Sequence, residues 1–335
     1  MSYSANGGAW FRGAGFILGV FLLVTVVLGI YWSSEPGEEF YLSKDSEVRF
    51  RALQNSKITG VETTKTLISV ADTLLYKPGG FLSNDIVPPG VWLDNIPNWE
   101  YGALIQVRDL SKAMRESFSR SQSQSTEDVD LALAEPRFNF DHNSWMLPAS
   151  EKQYKEATMY LQQYLDRLVD DNASDAQFFA RADNLRNWLR TVETRLGSLS
   201  QRLSASVGQR RINTDLAGEE NASQSTPAPA ELEVKTPWLE IDDVFYEARG
   251  STWALLQFLK AMDKDFADVL EKKNARVSLQ QIIRELEAAQ EPILSPMIVN
   301  GSGFGMLANH SLVMASYISR ANAAIIDLRE LLSKG

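Results

Sequence analysis

The sequence of 335 residues predicts an all-α protein: a single N-terminal transmembrane helix followed by a multi-helix bundle with a disordered internal linker. Three observations predict this class. An uncharged apolar run near the N-terminus is long enough to cross a bilayer. Apolar residues then recur at steps of three and four, with no convincing series of strands. A polar stretch with little to bury separates two such helical regions.

The predicted anchor is the run over residues 13–34, which contains no charged residue. About 20 apolar residues, each adding ~1.5 Å of helix, are needed to cross a hydrocarbon core of ~30 Å. Trp10 and Phe11 precede the run, and Tyr31 and Trp32 lie at its end. Aromatic rings are thus placed at both headgroup levels, as is typical of membrane spans.

The charges beside the run predict its direction. Arg12 and the α-amino group precede it, whereas three glutamates follow it before the first lysine, Lys44. Because cytoplasmic flanks carry the excess of positive charge, residues 1–12 are predicted to be a short cytoplasmic N-terminus. The rest of the chain would be exported. In a Gram-negative cell this makes it a single-pass inner-membrane protein with a periplasmic C-terminal domain.

A cleaved secretory signal is the competing interpretation, since such signals also combine a basic start with an apolar run. This run is longer than the ~7–15 apolar residues of a typical signal. Bulky Tyr31 and Trp32 also replace the small residues expected at a cleavage site. The chain has no cysteine, which excludes lipoprotein processing and disulfides. These features favour a retained anchor.

A small-residue step marks one face of the predicted span. Gly15 and Gly19 form a GxxxG pattern, which lets two membrane helices approach closely. This face is therefore a candidate homodimer contact. The alternative is that glycine is simply common in such helices.

The acidic composition limits the expected partners. The chain carries 43 acidic and 33 basic residues, for a formal net charge of −10. Nucleic acid is not an expected partner, because no basic stripe is present to neutralise phosphates. The same acidity argues against broad docking onto anionic lipid.

Beyond the anchor, composition and periodicity divide the chain into four regions. The linker is rich in Gly, Ser, Gln, Thr, Pro, Ala and Glu, so it is predicted to be disordered. In chain order the regions are a polar stalk at 35–57, a helical block at 58–207, the linker at 208–237, and a second helical block at 238–335 that packs with the first.

Local signals predict where several helices begin and end. Pro136 is predicted to end a short helix, and a long helix after Pro237 is predicted to be weakest at residues 249–251. The predicted N-terminal signals are, in chain order, Asn98, Thr126, a capping box of Ser150 with Gln153, and Ser278.

The strictest periodicity spans residues 178–207, where apolar residues alternate steps of four and three for about four heptads. Such a seam packs either within its own chain or against a second copy. The other amphipathic helices favour packing within the chain.

One spacing occurs twice, and each copy begins with glycine and ends with phenylalanine. A duplicated helical hairpin would produce this echo, and so would chance, because amphipathic helices draw on few residue types. The copies are Gly102, Met114 and Phe118, and Gly250, Met262 and Phe266.

No catalytic constellation, cofactor motif or metal site is predicted. The chain has two histidines, His142 and His310, so a zinc site would need both of them together with carboxylates. Three glycines near residue 303 match neither a dinucleotide-binding nor a phosphate-loop motif. The sequence therefore neither predicts nor excludes an enzyme activity, and no catalytic residue is predicted.

Aromatic residues in two proline-containing loops are the most suggestive feature. They could line a groove for a partner or ligand, because large rigid rings concentrate binding energy. Closing the end of the bundle is the alternative role. The candidate groove residues are Trp92, Asp94, Trp99, Asp141, His142 and Trp145.

Three segments behind the span carry a resemblance to a known family. In chain order they are GVWLDNIPNWEYG, FNFDHNSWMLPAS and NGSGFGMLANHSLVMASYISRANAAIIDLRELL. They resemble an uncharacterised proteobacterial family of single-pass inner-membrane proteins, the domain of unknown function family 2333. The resemblance covers nearly the whole chain after the anchor. It implies a bacterial envelope setting and supplies no catalytic residue.

Two hypotheses of function follow. In the first, a membrane-anchored periplasmic bundle acts as a scaffold or adaptor for another envelope protein, as a monomer or a homodimer. In the second, the aromatic loops bind a ligand or the cell wall, or belong to an unrecognised envelope hydrolase.

Overall fold

The protein is described by a computed structural model, which covers residues 7–37, 39–54, 56–122, 124–170, 175–213, 229, 231–295, 297–302 and 305–334, without side chains at 7–10 and 211. The predicted all-α class is confirmed, with one pair of short strands added. The α-helices of the described residues are α1 Gly7–Trp32, α2 Lys44–Ala52, α3 Val61–Tyr76, α4 Asn95–Ala113, α5 Val129–Phe138, α6 Ser150–Val169, α7 Ala182–Ser204, α8 Ile241–Asp265, α9 Ala267–Lys272, α10 Arg276–Ala288 and α11 His310–Ser333. The strands are β1 Gln209–Ile212 and β2 Glu231–Val234.

The strand pair corrects the prediction for residues 208–237. β1 and β2 pair antiparallel, with Gln209 opposite Val234. Both ends of the predicted linker are therefore held together close to the end of α7. Residues 214–228 and 230, which carry most of the polar composition, lie outside the described residues.

α4 begins earlier than predicted. The Asp94 carboxylate accepts a hydrogen bond from the N–H of Asn95 at 2.9 Å, so Asp94 is the cap and Asn98 lies inside the helix. Pro97 falls in the first turn, where a missing N–H loses no helical hydrogen bond. The proline therefore does not separate the loop from the helix.

α5 also differs from its prediction. The Asp128 carboxylate caps it by accepting from the N–H groups of Asp130 and Leu131, so Thr126 precedes the helix. Pro136 lies inside α5, which ends two residues later. A proline in the last turn removes a single hydrogen bond, which a helix end tolerates more readily than a helix centre.

The predicted caps of α6 and α10 are wrong for different reasons. Ser150 is the first residue of α6, and its hydroxyl donates to the carbonyl of Asp141 at 2.7 Å, so it does not form a capping box with Gln153. α10 begins at Arg276, which places Ser278 inside the helix. Both serines lie within one turn of the true start.

Several described residues of the predicted stalk at 35–57 contact the bundle. The Phe40 ring lies 6.0 Å from that of Trp253. The buried Asp72 carboxylate accepts from the N–H of Ser43 at 3.0 Å and from the hydroxyl of Ser46 at 2.6 Å. Burial raises the pKa of Asp72, and these hydrogen bonds oppose the rise. Ser43 and Ser46 are thus held against α3.

The heptad seam packs within the chain. α7 lies along α11, and the side chains that α7 buries repeat with the predicted steps. The buried seam residues are Leu185, Leu189, Val192, Leu196, Leu199 and Leu203, and α7 also buries Trp188 outside the seam.

α4 and α8 cross at two glycines. A Cβ on Gly102 would lie 2.0 Å from the carbonyl oxygen of Glu247, and one on Gly250 would lie 1.8 Å from that of Trp99. Backbones approach this closely only where neither residue has a side chain. α8 runs unbroken through Gly250, so the predicted weak point at residues 249–251 is wrong. Gly250 is needed for packing.

The repeated spacing brings its equivalent residues together. The glycines meet at one end of the α4–α8 pair, and the rings of Phe118 and Phe266 lie 5.5 Å apart at the other. Met114 and Met262 are both fully buried. α4 and α8 therefore run side by side in the same direction.

The neighbours of α4 and α8 repeat the same pattern. α3 and α5 both contact α4 and α6, while α7 and α10 both contact α8 and α11. Short helical turns, Gly90–Trp92 and Trp238–Glu240, stand the same number of residues before the two crossing glycines. This is the arrangement expected of a duplicated four-helix unit related by an approximate two-fold axis between α4 and α8.

α1 contains the predicted span. The stretch Phe11–Trp32 has a mean hydropathy of 2.6, and its length and composition suit either a membrane anchor or a signal sequence. Among the described residues, no atom outside the neighbouring backbone of α1 lies within 4 Å of a Cβ built on Gly15 or Gly19. The dimer contact stays a prediction.

Candidate functional site at the loop end of the bundle

All six candidate residues lie at one end of the bundle, which we call the loop end. It is the end where α4, α6, α8 and α11 begin and where α5 and α10 finish. The opposite end, where α4 and α8 finish, is called the far end. The exit of α1 also packs on the loop end, so this part of the molecule joins the predicted span to the bundle.

The three tryptophans of the predicted groove differ in exposure. Trp92 is 57% exposed and Trp145 is 54% exposed. Trp99 is fully buried, with its ring 5.0 Å from that of Trp253. Trp99 packs in the core beside the crossing of α4 and α8, and so it cannot line an open groove.

The polar members of the predicted groove hold their own loops. Asp94 caps α4, as described above. The Asp141 carboxylate accepts from the N–H of Asn143 at 3.0 Å. The His142 ring lies 4.8 Å from the Tyr101 ring. Burial lowers the pKa of His142, Arg108 lowers it further and Asp141 opposes both. His142 is thus a packing residue of this loop.

A buried ion pair fixes the first aromatic loop. The side chains of Lys77 and Glu100 are fully buried, and Lys77 Nζ lies 2.5 Å from Glu100 Oε1. Glu100 also accepts from the N–H of Leu82 and from the N–H and hydroxyl of Ser83 at 2.6 to 2.8 Å. These bonds satisfy a carboxylate that burial would otherwise make costly.

The second aromatic loop is tied to the first. The Asn84 side-chain amide donates to the carbonyl of Ser144 and to the Glu151 carboxylate, both at 2.8 Å. Arg108 donates to the carbonyls of Phe138 and Phe140 at 2.7 and 2.9 Å. The two loops are therefore joined to each other and to α4.

Arg249 locks the exit of α1 onto the bundle. Its buried guanidinium donates to Glu35 Oε2 at 2.8 and 3.0 Å and to the carbonyls of Ala289 and Glu291 at 3.0 and 2.9 Å. The Trp253 indole N–H donates to the carbonyl of Gly37 at 2.9 Å. The segment after α1 is thus bound to α8 and to the α10–α11 loop.

The last turns of α1 also contact the first aromatic loop. A Cβ on Gly29 would lie 3.6 Å from Pro89 and 3.7 Å from Leu93. One on Gly79, where φ is +85°, would lie 2.8 Å from the Trp32 ring. Gly79 therefore supplies both the left-handed turn and the space for the indole.

Two clefts flank Arg249. The larger, of about 780 Å³, lies between the exit of α1 and the end of α10, and Glu35, Trp253 and Gln290 line it. The other, of about 380 Å³, is lined by Phe245, His310 and Tyr317 among others. Among the described residues, no group of three or more His, Cys, Asp or Glu side chains could hold a metal ion.

Sequence reasoning missed Arg249, Lys77 and Glu100. Glu100 and Arg249 are charged residues within helices, and such residues also occur on solvated faces. Lys77 directly follows α3, where a basic residue is common at a helix end. Their partners lie 214 residues away for Arg249 and 23 residues away for Lys77. Neither distance is visible in local periodicity.

We expect Arg249→Met to lower the free energy of unfolding by about 2–4 kcal/mol, because Glu35 and two carbonyls lose a buried partner. Arg320→Met is the matched control, since Arg320 pairs with Glu285 at 2.8 Å in an exposed position. Exposed pairs contribute about 1 kcal/mol or less. Denaturant titration of the full chain in detergent micelles measures both. Equal losses of stability in the two variants would show that the Arg249 contacts with the exit of α1 contribute no more than an exposed ion pair.

Asp243 lies within an acidic group at the loop end. Asn98 donates to Asp243 Oδ1 at 2.7 Å. Burial, together with the charges of Asp242, Asp94 and Glu240, raises the pKa of Asp243 to about 6 from its usual 3.8. The folded protein thus holds the Asp243 proton more tightly than the unfolded chain does.

This shift predicts a pH-dependent gain for Asp243→Asn. The contribution of Asp243 to stability is full below pH 3.8 and is lost as pH rises through about 6. Asparagine does not titrate, so the variant should be more stable than the parent at pH 8, by about 1 kcal/mol or less after solvent screening. The gain should fade toward pH 4. Asp327→Asn, on an exposed face of α11, is the control. A gain that does not vary with pH would contradict the prediction.

Comparison with known proteins identifies one family. The model of a family described as "Uncharacterized protein conserved in bacteria (DUF2333)" matches residues 4–335, which confirms the resemblance found from the three segments. No curated protein and no solved structure matches the chain significantly.

Proposed function

We propose that this chain, which belongs to the bacterial family DUF2333, is a single-pass inner-membrane protein whose periplasmic helical bundle serves as a scaffold or adaptor for another envelope protein. The observation that carries the proposal is the rigid join between α1 and the loop end. A bundle bound to its own anchor by Arg249 and Trp253 keeps one orientation relative to the membrane. A bundle held in one orientation is suited to positioning a partner protein.

The join supports a retained anchor over a cleaved signal. Contacts to the bundle come from both sides of the end of α1: Gly29 and Trp32 before it, and Glu35 and Gly37 after it. Cleavage near residue 32 would uncover Gly79 and the apolar loop beside it. Because the end of α1 completes the packing of the bundle, these contacts favour its retention in the mature protein.

The flanking charges support the direction. Arg12 stands at one end of the span, and Glu35 stands at the other end within the lock. Translocation of the acidic side fits the positive-inside rule.

The ligand-binding alternative has less support. Trp99 is buried, and Asp94, Asp141 and His142 are engaged in holding the loops. Of the six candidate residues' aromatic members, only Trp92 and Trp145 are exposed.

Photo-crosslinking in intact cells tests the scaffold role. A photoreactive residue would replace exposed side chains on the sides of the bundle, such as Met159 on α6 and Ile326 on α11. We expect a reproducible adduct with one specific envelope protein, and none from Phe21 in the span. Adducts with neither an envelope protein nor a second copy would oppose the proposal. A C-terminal reporter active only in the cytoplasm would contradict the direction.

The homodimer is a separate part of the proposal. Gly15→Cys should form a disulfide-linked dimer in native membranes, because small residues at 15 and 19 allow close approach. Ile17→Cys, on the opposite face of α1, is the control and should not. Equal crosslinking at both positions would indicate random collision.

A further inference from the structure

We infer that the loop end of the bundle lies in the interfacial layer of the membrane that α1 crosses, so that lipid is the partner of its exposed apolar side chains. The inference rests on the proposed anchoring by α1 and adds a second, peripheral contact to it. The bundle would then lie on the bilayer and not stand away from it.

The first part of this surface comes from the two aromatic loops of the first half. Large apolar side chains point outward there, although the loops are rigidly tied by Asn84 and Glu100. Leaving such side chains in water costs about 25 cal/mol for each Å² exposed. The exposed residues are Ile86, Val87, Val91, Trp92, Trp145 and Leu147.

The second part comes from the equivalent places of the second half. One member, Leu294, is 97% exposed. Trp238 and Leu239 precede α8 as Gly90 and Val91 precede α4, and the others lie between α10 and α11. The exposed residues are Trp238, Leu239, Leu294, Met297, Met306 and Leu307.

Both parts lie at the same end of the molecule. α4 and α8 run in the same direction, so the turns before them share one end. The α5–α6 and α10–α11 loops join them there, because each loop links the end of one helix to the start of another at the loop end. The two apolar parts, related by the approximate two-fold axis, thus lie on one face of the molecule.

The position of α1 places this face at the membrane. Pro89 and Leu93 lie beside Gly29, 3.6 and 3.7 Å from a Cβ built there. Gly29 precedes Trp32 by three residues, or ~4.5 Å of helix. Both loop residues therefore lie level with the apolar part of the span, a few ångströms inside the level of Tyr31 and Trp32. Peripheral apolar residues enter the headgroup boundary by ~5–10 Å, which matches this depth.

The second half is held to the exit of α1 through Arg249. Its bonds to Glu35 and to the carbonyls of Ala289 and Glu291 hold the start of the α10–α11 loop against the exit of α1. Leu294 and Met297 follow directly. Each half of the loop end is therefore fixed to the anchor by its own contact.

The charge of the loop end indicates how lipid is bound. Asp94, Asp242 and Asp243 lie near the turns before α4 and α8, where anionic headgroups would be repelled. Tryptophan is enriched at the membrane interface, and Trp92, Trp145 and Trp238 supply it. Apolar insertion, not attraction to anionic lipid, would hold this face, so zwitterionic lipid is sufficient.

Site-directed spin labelling of the full chain tests the inference. The sequence has no cysteine, so single substitutions can be labelled directly. Labels at Trp92→Cys, Trp238→Cys and Leu294→Cys probe the loop end in phosphatidylcholine nanodiscs. Val277→Cys, 76% exposed at the start of α10, and Val129→Cys at the start of α5 are controls at the far end. α8 alone separates the two ends by roughly 37 Å.

The readout is the accessibility of each label to oxygen and to a water-soluble nickel chelate. We expect loop-end labels to be several-fold more accessible to oxygen relative to nickel than the far-end controls, because oxygen concentrates in lipid. Loop-end labels as open to nickel as the controls would overturn the inference. Labels shielded from both reagents would indicate a second copy or another protein on this face, and would also overturn it.

A label at Val24→Cys in α1 separates this inference from the proposed function. If the label at Val24 is exposed to lipid and the labels at the loop end are exposed to water, the peripheral contact is refuted and the anchor is not. A water-exposed label at Val24 refutes the anchor itself, and the inference with it.

Discussion

Gly250→Ala is expected to lower the free energy of unfolding by about 3 kcal/mol. Its Cβ would lie 1.8 Å from the carbonyl oxygen of Trp99. Because that oxygen belongs to the backbone of α4, no side-chain rotation relieves the contact and the two helices must separate. Separation loosens the packing that joins the two halves of the bundle. The stability lost in this way exceeds the ~1 kcal/mol gained by replacing glycine with alanine in a helix.

Gly197→Ala in α7 is the matched control. The nearest atom to a Cβ there is Asn322 Nδ2 at 3.7 Å, an ordinary contact. This variant should gain up to ~1 kcal/mol from helix propensity alone. Denaturant titration of the full chain, followed by helical circular dichroism, measures both. If Gly250→Ala stabilised the protein as Gly197→Ala does, the close crossing of α4 and α8 would be refuted.

Lys77→Met is expected to cost about 3–5 kcal/mol, because it leaves the Glu100 carboxylate buried without its counter-ion. Lys264→Met is the matched control. Lys264 pairs with Glu62 at 3.0 Å but is exposed, so its loss should be about 1 kcal/mol or less. The same denaturant titration compares the two.

A second variant identifies the cause of the loss. Glu100→Gln added to Lys77→Met should recover part of the stability, since a neutral amide needs no counter-ion. Its oxygen can still accept from the loop N–H groups of Leu82 or Ser83. If the double variant were less stable than Lys77→Met alone, lost packing of the lysine stem, not the unpaired charge, would explain the effect.

Much of the fold followed from local patterns. The span, the helical class and the seam of α7 were predicted because each depends on residues within one element. Helix starts were less accurate. Asp94 caps α4 in place of Asn98, and Asp128 caps α5 although Thr126 is nearby. Several capping residues within one turn compete, and only the path of the chain decides among them.

The candidate site was predicted only in part. α4 begins within the first predicted aromatic loop, and Trp99 is buried while Trp92 and Trp145 are exposed. All three are tryptophans in or beside proline-containing loops. Their different exposure depends on α8 and the exit of α1, which lie far away in sequence.

By itself, the sequence determined what short-range chemistry controls: an apolar helix long enough for a bilayer, amphipathic helices, and an acidic chain without a catalytic motif. The tertiary structure alone decided which residues meet. Gly102 and Gly250 cross, Lys77 pairs with Glu100, and Arg249 reaches Glu35, because folding brings distant groups within contact distance. Periodicity records which face of a helix is buried, but the partner of that face depends on the whole packed chain.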